Sequence, residues 1–108
     1  MTSETNLKNE IMIWCGQQGW ICIHANVFKG IIWDEEQRQE RFVRSGFPNG
    51  WPDLIIITNY GITMYCETKC KPNKPTKEQL KIIKILREMG HNAFVAYSLE
   101  EFIENVKK

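Results

Sequence analysis

Asp53, Glu67 and Lys69 are the residues of this 108-residue chain whose types and spacing could do chemistry together. Asp53 opens the apolar run Leu54 to Thr58, and Glu67-Thr-Lys69 closes a second β-rich run from Ile62, with Asn59-Tyr60-Gly61 between them. Two such runs around a glycine-containing turn predict a β-hairpin. In a strand, residues i and i+2 share a face, so Glu67 and Lys69 project together while Thr68 turns away. Register decides whether Asp53 joins them. A three-residue loop with Gly61 in the left-handed conformation pairs Thr58 with Ile62 and, by extension, Asp53 with Glu67 on one face. A two-residue loop sets Asp53 opposite Cys66, on the wrong side.

Two carboxylates held close together repel each other, and one lysine beside them offsets only part of their charge. A divalent cation offsets the rest. Oxygen-only ligands favour Mg²⁺ or Mn²⁺, which serve phosphoryl chemistry by polarising the phosphate and activating water. The same spacing also fits an ordinary Asp, Glu and Lys salt-bridge group on an exposed sheet face, and spacing alone leaves both open.

These side chains need elements to hold them. Leu7, Ile11, Trp14 and Cys15 recur at helical spacing and predict a first helix from Glu4 to Gln17, capped by Thr2 or Ser3. Glu10 lies on the edge of its apolar stripe, where an acid either reaches past the core to solvent or has a task. Trp20 to His24 is a short strand candidate. From Ala25 to Gly50 the chain reads as largely irregular, with a second strand around Gly30 to Trp33. Arg38, Arg41 and Arg44 fall at every third position there, along a short helix or an exposed loop. The unbroken apolar run Leu54 to Ile57 predicts a central strand buried on both faces. Thr76-Lys-Glu-Gln79 has the form of a capping box and opens a helix with Leu80, Ile82, Ile83, Leu86 and Met89 on its buried side and Gly90 as its stop. Asn92 to Tyr97 is the last strand, and Ser98-Leu-Glu-Glu101 caps a terminal helix reaching Val106. This order predicts an α/β fold, helices sandwiching a mixed sheet, in one domain over residues 1–108.

Composition bounds the rest. Hydrophobic content of 43% and charged content of 25% exclude a disordered tail, and no apolar run approaches the length of a membrane span. The N-terminal Met1 to Lys8 lacks the basic flank and apolar stretch of a signal peptide, so a cytoplasmic protein is expected. Cys15, Cys22, Cys66 and Cys70 match no paired metal or disulfide spacing and are expected as reduced structural thiols, with His24 and His91 in ordinary roles. A net charge of +1 speaks against a nucleic-acid partner until the charges are placed. Seven of the fourteen basic residues (Lys69, Lys71, Lys74, Lys77, Lys81, Lys84 and Arg87) fall between positions 69 and 87, against the single acid Glu78. Acids gather elsewhere, at Asp34-Glu35-Glu36 and at Glu100, Glu101 and Glu104, so one basic face is expected.

Gly50-Trp-Pro-Asp53-Leu-Ile, with Glu67-Thr-Lys69 after thirteen intervening residues, then Thr76-Lys-Glu-Gln79 and Leu-x-x-x-Gly90, resembles the VRR-NUC group of the PD-(D/E)XK nuclease superfamily. The resemblance runs from Glu10 to Tyr97. It implies a restriction-endonuclease-like α/β sandwich with a central mixed sheet, and Mg²⁺- or Mn²⁺-dependent hydrolysis of DNA phosphodiesters. Carried over residue by residue, it implies that Glu10, Asp53, Glu67 and the Thr68 backbone carbonyl bind the metal. Lys69 would position or deprotonate the attacking water, and Gln79 would contact phosphate or support the lysine. Lys71, Lys74, Lys77 and Lys81, with Arg38, Arg41 and Arg44, would hold the DNA backbone without reading bases, which makes cleavage structure-selective.

Minimal stand-alone members resemble virus-encoded or bacterial junction nucleases that act as homodimers. They imply resolution of four-way (Holliday) junctions by a two-fold pair of copies. Flap or nicked-duplex cleavage, or a non-catalytic DNA-binding module of the same fold, are the alternatives. Phe28, Ile31, Ile32, Trp33, Phe42 and Val43 are candidates for a dimer interface, for stacking on distorted DNA, or for core. Family members often carry an Arg and Asn pair after the first strand, where this chain has His24-Ala25-Asn26, with Lys29 as the nearby base that could substitute. The implied partners are branched DNA and a second copy, with no membrane and no small-molecule cofactor.

Overall fold

The computed structural model describes residues 3–25, 29–34, 38–44 and 49–107, with residues 29–34 and 39–44 placed by their backbone. Helix α1 (Glu4–Gln17) starts where the sequence predicts, with the Ser3 hydroxyl accepting from the Asn6 N–H at 3.1 Å. Strand β1 (Ile21–His24) follows, then an antiparallel ribbon of β2 (Lys29–Asp34) and β3 (Gln39–Arg44). The hairpin of β4 (Leu54–Ile57) and β5 (Thr63–Thr68) leads to α2 (Lys77–Glu88), β6 (Asn92–Ala96) and α3 (Leu99–Val106). No described helix is long and apolar enough to cross a membrane.

The main sheet has the order β1-β4-β5-β6. Its first two pairings are antiparallel, and β5 pairs β6 in parallel, as a strand returning through a crossover helix must. It is the mixed α/β sheet expected from the sequence. One face carries the larger core, where Leu7 and Ile11 of α1 and Phe102 of α3 pack with Leu54, Ile56, Cys66 and Phe94. On the opposite face Ile83 and Leu86 of α2 pack with Ala93, flanked by Tyr65 and Val95.

Three expectations change. The segment read as a helix or loop around Arg41 and Arg44 is strand β3, paired residue for residue with β2, because a ladder with an adjacent strand satisfies the backbone whatever the charge pattern of the side chains. Strand β4 is central in the sheet but not buried on both faces, since α2 covers only the β5 and β6 side and leaves Ile57 37% exposed beside Ile21 and Ile23 of β1. Leu80 and Met89 are 51% and 71% exposed. The stripe that α2 turns to the sheet is instead Gln79, Ile83 and Leu86, at i, i+4 and i+7, so a polar residue takes the place expected for a leucine. All four cysteines are free.

Candidate active site

The hairpin turn sets the site. Thr58 N–H donates to the Ile62 carbonyl at 2.9 Å, the Ile62 N–H returns to the Thr58 hydroxyl at 3.0 Å, and Gly61 holds φ +84° between them. An L side chain is disfavoured at that φ, which is why glycine closes the loop. The turn is the three-residue form, and the register runs Leu54 opposite Cys66 through Ile57 opposite Thr63. One step further, Asp53 stands opposite Glu67 at the open end of the hairpin.

The two acids are locked together there. The Asp53 N–H donates to Glu67 Oε1 at 3.2 Å, while Asp53 Oδ2 accepts from the Thr68 N–H at 3.0 Å and from the Thr68 hydroxyl at 2.7 Å. Glu67 is 1% exposed. Burial, then the Asp53 charge, pushes its carboxyl up from 4.5 to about 8, with Lys69 pulling the other way. The neighbouring Cys66 thiol is pushed up as well, by burial and then by the charges of Asp53 and Glu67, which leaves it a neutral core group.

Gln79 reaches the same carboxylate. Its Oε1 accepts from the Thr76 N–H at 2.8 Å, its own N–H donates to Thr76 Oγ1 at 3.1 Å, and its Nε2 donates to Glu67 Oε2 at 3.1 Å. One side chain therefore closes the capping box and supports the acid. The turn before Asp53 fixes the distance between them: a Cβ on Gly50 would lie 2.6 Å from the Glu78 carbonyl carbon and 2.9 Å from the Gln79 nitrogen, at φ +85°. Only a glycine lets the chain leading into Asp53 pack so closely on the first turn of α2.

Helix α1 supplies the remaining charges, through residues other than the one the sequence singled out. Lys69 Nζ lies 4.0 Å from Glu4 Oε1, and Lys8 Nζ lies 3.8 Å from Asp53 Oδ1. Glu10 is exposed, and among the described residues no three Asp, Glu, His or Cys side chains gather as a ready-made metal site, so neither Glu10 nor Glu4 joins Asp53 and Glu67 as a third acid; Glu4 instead pairs with Lys69. The reason lies in helix rotation. With Leu7 as zero and about 100° per residue, Ile11 and Cys15 fall near 40° and 80°, Glu4 near 60° and Glu10 near −60°. Glu4 thus sits within the buried stripe and Glu10 beside it. Glu10 lies only two residues beyond Lys8, so it is rotation about the axis and not distance along it that turns Glu10 away from the hairpin end. The stripe angle was available in the sequence and would have found Glu4.

Lys71, Lys74, Lys77 and Lys81 are exposed along the loop after β5 and the first two turns of α2, with the Lys71 ammonium 5.7 Å from the centre of the Tyr97 ring. They extend a basic surface from Lys69 without entering the carboxylate cluster. Arg38 is exposed immediately before β3, with φ 54°. Arg41 and Arg44 are placed by their backbone, opposite Ile32 and Lys29. Phe28 lies outside the described residues, as do the side chains of Ile31, Ile32, Trp33, Phe42 and Val43.

No protein-family model and no curated protein matches the chain. A solved structure described as a VRR_NUC domain does, with a TM-score of 0.69 over 99% of this chain and 97% of its own at 22% sequence identity. This chain has the VRR_NUC fold. The superposition covers both α1 and the hairpin, the two elements that bring Glu4, Lys8, Asp53, Glu67 and Lys69 to one end of the VRR_NUC sheet.

Proposed function

We propose that this chain is a Mg²⁺- or Mn²⁺-dependent endonuclease that hydrolyses DNA phosphodiesters in branched substrates, four-way junctions foremost. The observation that carries the reading is the pairing of Asp53 with the buried Glu67 at a sheet end, with Lys69 two residues on and a lysine-rich loop and helix beside it. Two adjacent carboxylates, one of them pushed up to about 8, make an all-oxygen donor set, which fits a hard divalent cation. Asp53 and Glu67 would hold it, with the Thr68 carbonyl as a further oxygen donor, while Glu4 would orient Lys69 through their ion pair. When bound, such an ion polarises the phosphate and lowers the pKa of water.

The chain's own residues do the rest. Thr68 fixes the Asp53 carboxylate through two hydrogen bonds, and Gln79 fixes that of Glu67. Lys69, its side chain only 15% exposed, would donate through its ammonium to water and to the charge that grows on the phosphate as its bond to the 3′ oxygen breaks, leaving a 5′-phosphate and a 3′-hydroxyl. Lys71, Lys74, Lys77 and Lys81 hold the flanking backbone, a type of contact that positions DNA without reading sequence.

A four-way junction is two-fold symmetric and needs two cuts, which favours a homodimer. Ile21 and Ile23, 59% and 42% exposed on the edge strand of the sheet, offer apolar surface for it.

Cleavage of a labelled four-way junction, a 5′ flap and plain duplex in Mg²⁺, Mn²⁺ or EDTA tests this. We expect junction cutting that vanishes in EDTA and falls by about a hundredfold or more in Lys69→Ala. Cutting that survives EDTA, or an undiminished variant, overturns the mechanism. Duplex cut as fast as the junction overturns the substrate, and a monomer on sizing at working concentration overturns the dimer. Binding without cutting by the intact protein would leave a DNA-binding module.

A further inference from the structure

Asp53 presents its two oxygens differently. Oδ2 is taken by the Thr68 N–H and hydroxyl at 3.0 and 2.7 Å, while among the described residues Oδ1 faces the Lys8 ammonium at 3.8 Å. On Glu67, Oε1 accepts from the Asp53 N–H and Oε2 from Gln79. Oδ1 is therefore the oxygen of the pair on which a cation would first settle, and a cation is already there. Lys8 is no accidental neighbour: it follows Glu4 by one helical turn, and the two helix charges pair crosswise with Asp53 and Lys69. The Lys8 and Asp53 side chains are 24% and 23% exposed, so their attraction is only partly screened.

We propose that Lys8 is a built-in counter-cation that competes with the divalent ion for Asp53 Oδ1, so that the DNA-free protein is charge-satisfied without metal and binds metal weakly. The inference rests on the site reading above and adds a residue to it. Loading the ion requires the ammonium to leave Oδ1, and two positive charges cannot share that oxygen at contact distance without strong repulsion.

Replacing Lys8 then has two effects of opposite sign. In the DNA-free protein, Lys8→Gln tightens Mn²⁺ binding by about three- to tenfold, the worth of a half-buried ion pair expressed as affinity. The same variant in EDTA unfolds at lower denaturant than the wild type. Lys8→Arg keeps the charge and stays near wild type in both. Lys107→Gln, at the end of α3, changes net charge equally and leaves Mn²⁺ affinity unmoved. Free Mn²⁺ followed by electron paramagnetic resonance reads the first effect without any turnover.

Equal or weaker Mn²⁺ binding by Lys8→Gln overturns the inference; that is the result if Lys8 is only a structural ion pair or only a phosphate contact. Mn²⁺ binding unaffected by Asp53→Asn is a different failure. It overturns the site reading itself, and the competition with it.

Discussion

Glu67 ties the stability of the metal-free protein to pH. Its carboxyl is pushed from 4.5 up to about 8 by burial and by the Asp53 charge. Between those values the native state holds a proton that the unfolded chain has released, so stability falls as pH rises. The contribution is fully present below 4.5 and is lost once pH passes about 8. One proton corresponds to about 1.4 kcal/mol per pH unit, so on the order of 2 kcal/mol disappears between about pH 5.5 and pH 7.5. In a domain of this size that is a fall of roughly 10 °C in Tm. Urea unfolding in EDTA at several pH values measures it directly.

Glu67→Gln isolates the effect. The amide cannot titrate, and its NH₂ must face either the Asp53 N–H or Gln79 Nε2, both of which donate to Glu67. That donor clash costs on the order of 1–3 kcal/mol at every pH, which lowers the curve without tilting it. The expected result is a sloped wild type and a flat variant. Saturating Mg²⁺ should also flatten the wild type, because the cation then balances the carboxylate in place of the proton. Parallel slopes for wild type and variant in EDTA would refute the assignment of the titration to Glu67.

Three further outcomes follow from the same geometry. Glu4→Gln should reduce cleavage at least about tenfold to a hundredfold while Glu10→Gln stays within about twofold, compared at equal folded fraction; the reverse order would restore Glu10 to the site. Gly50→Ala places a methyl 2.6 Å from the Glu78 carbonyl carbon at φ +85°, and should cost on the order of 3 kcal/mol by denaturant unfolding, with loss of cleavage in the fraction that still folds. Gln79→Glu keeps the capping-box acceptor but sets a carboxylate against Glu67. Its junction cleavage should therefore fall far more than its stability in EDTA at about pH 5.5, where Glu67 still holds its proton and the repulsion is relieved, and equal losses would reduce Gln79 to a cap.

The hairpin was legible because its signals are local. Asn59-Tyr60-Gly61 fixes the loop, the loop fixes the register, and the register carries Asp53 to Glu67 with no information from elsewhere in the chain. The capping box at Thr76 was equally local, and the structure adds only that Gln79 has a second partner. Glu4 and Lys8 were missed for a different reason. Their partners lie on another element, so finding them requires the rotation of α1 about its axis as well as its existence. The exposure of Leu80 and Ile57 is likewise tertiary: it depends on how far α2 extends across the sheet, which no periodicity in α2 or β4 encodes. Strand β3 was hidden because a two-stranded ribbon needs only backbone pairing, so its sequence is free to carry charge.

Every group at the site comes from one end of the sheet, and the topology explains why. Asp53 precedes β4 and Glu67 to Lys69 end β5, so an antiparallel hairpin brings them to the same end. Both α1 and α2 begin there, as the Glu4 and Lys8 ion pairs and the Gln79 hydrogen bond require. Helix N-termini carry partial positive charge and unpaired N–H groups. Two of them therefore begin at the end of the sheet that holds the carboxylates and, on the reading above, meets an anionic substrate. The loop Asn59 to Gly61 and Gly90 lie at the other end of β5 and α2, far from this chemistry. On the proposed function, a net charge of +1 is compatible with a polyanionic partner because charge concentrated at one end, not the average, would meet it. That end is where two lysines cross-pair with two acids, two helices start, and a lysine-rich surface continues outward from Lys69.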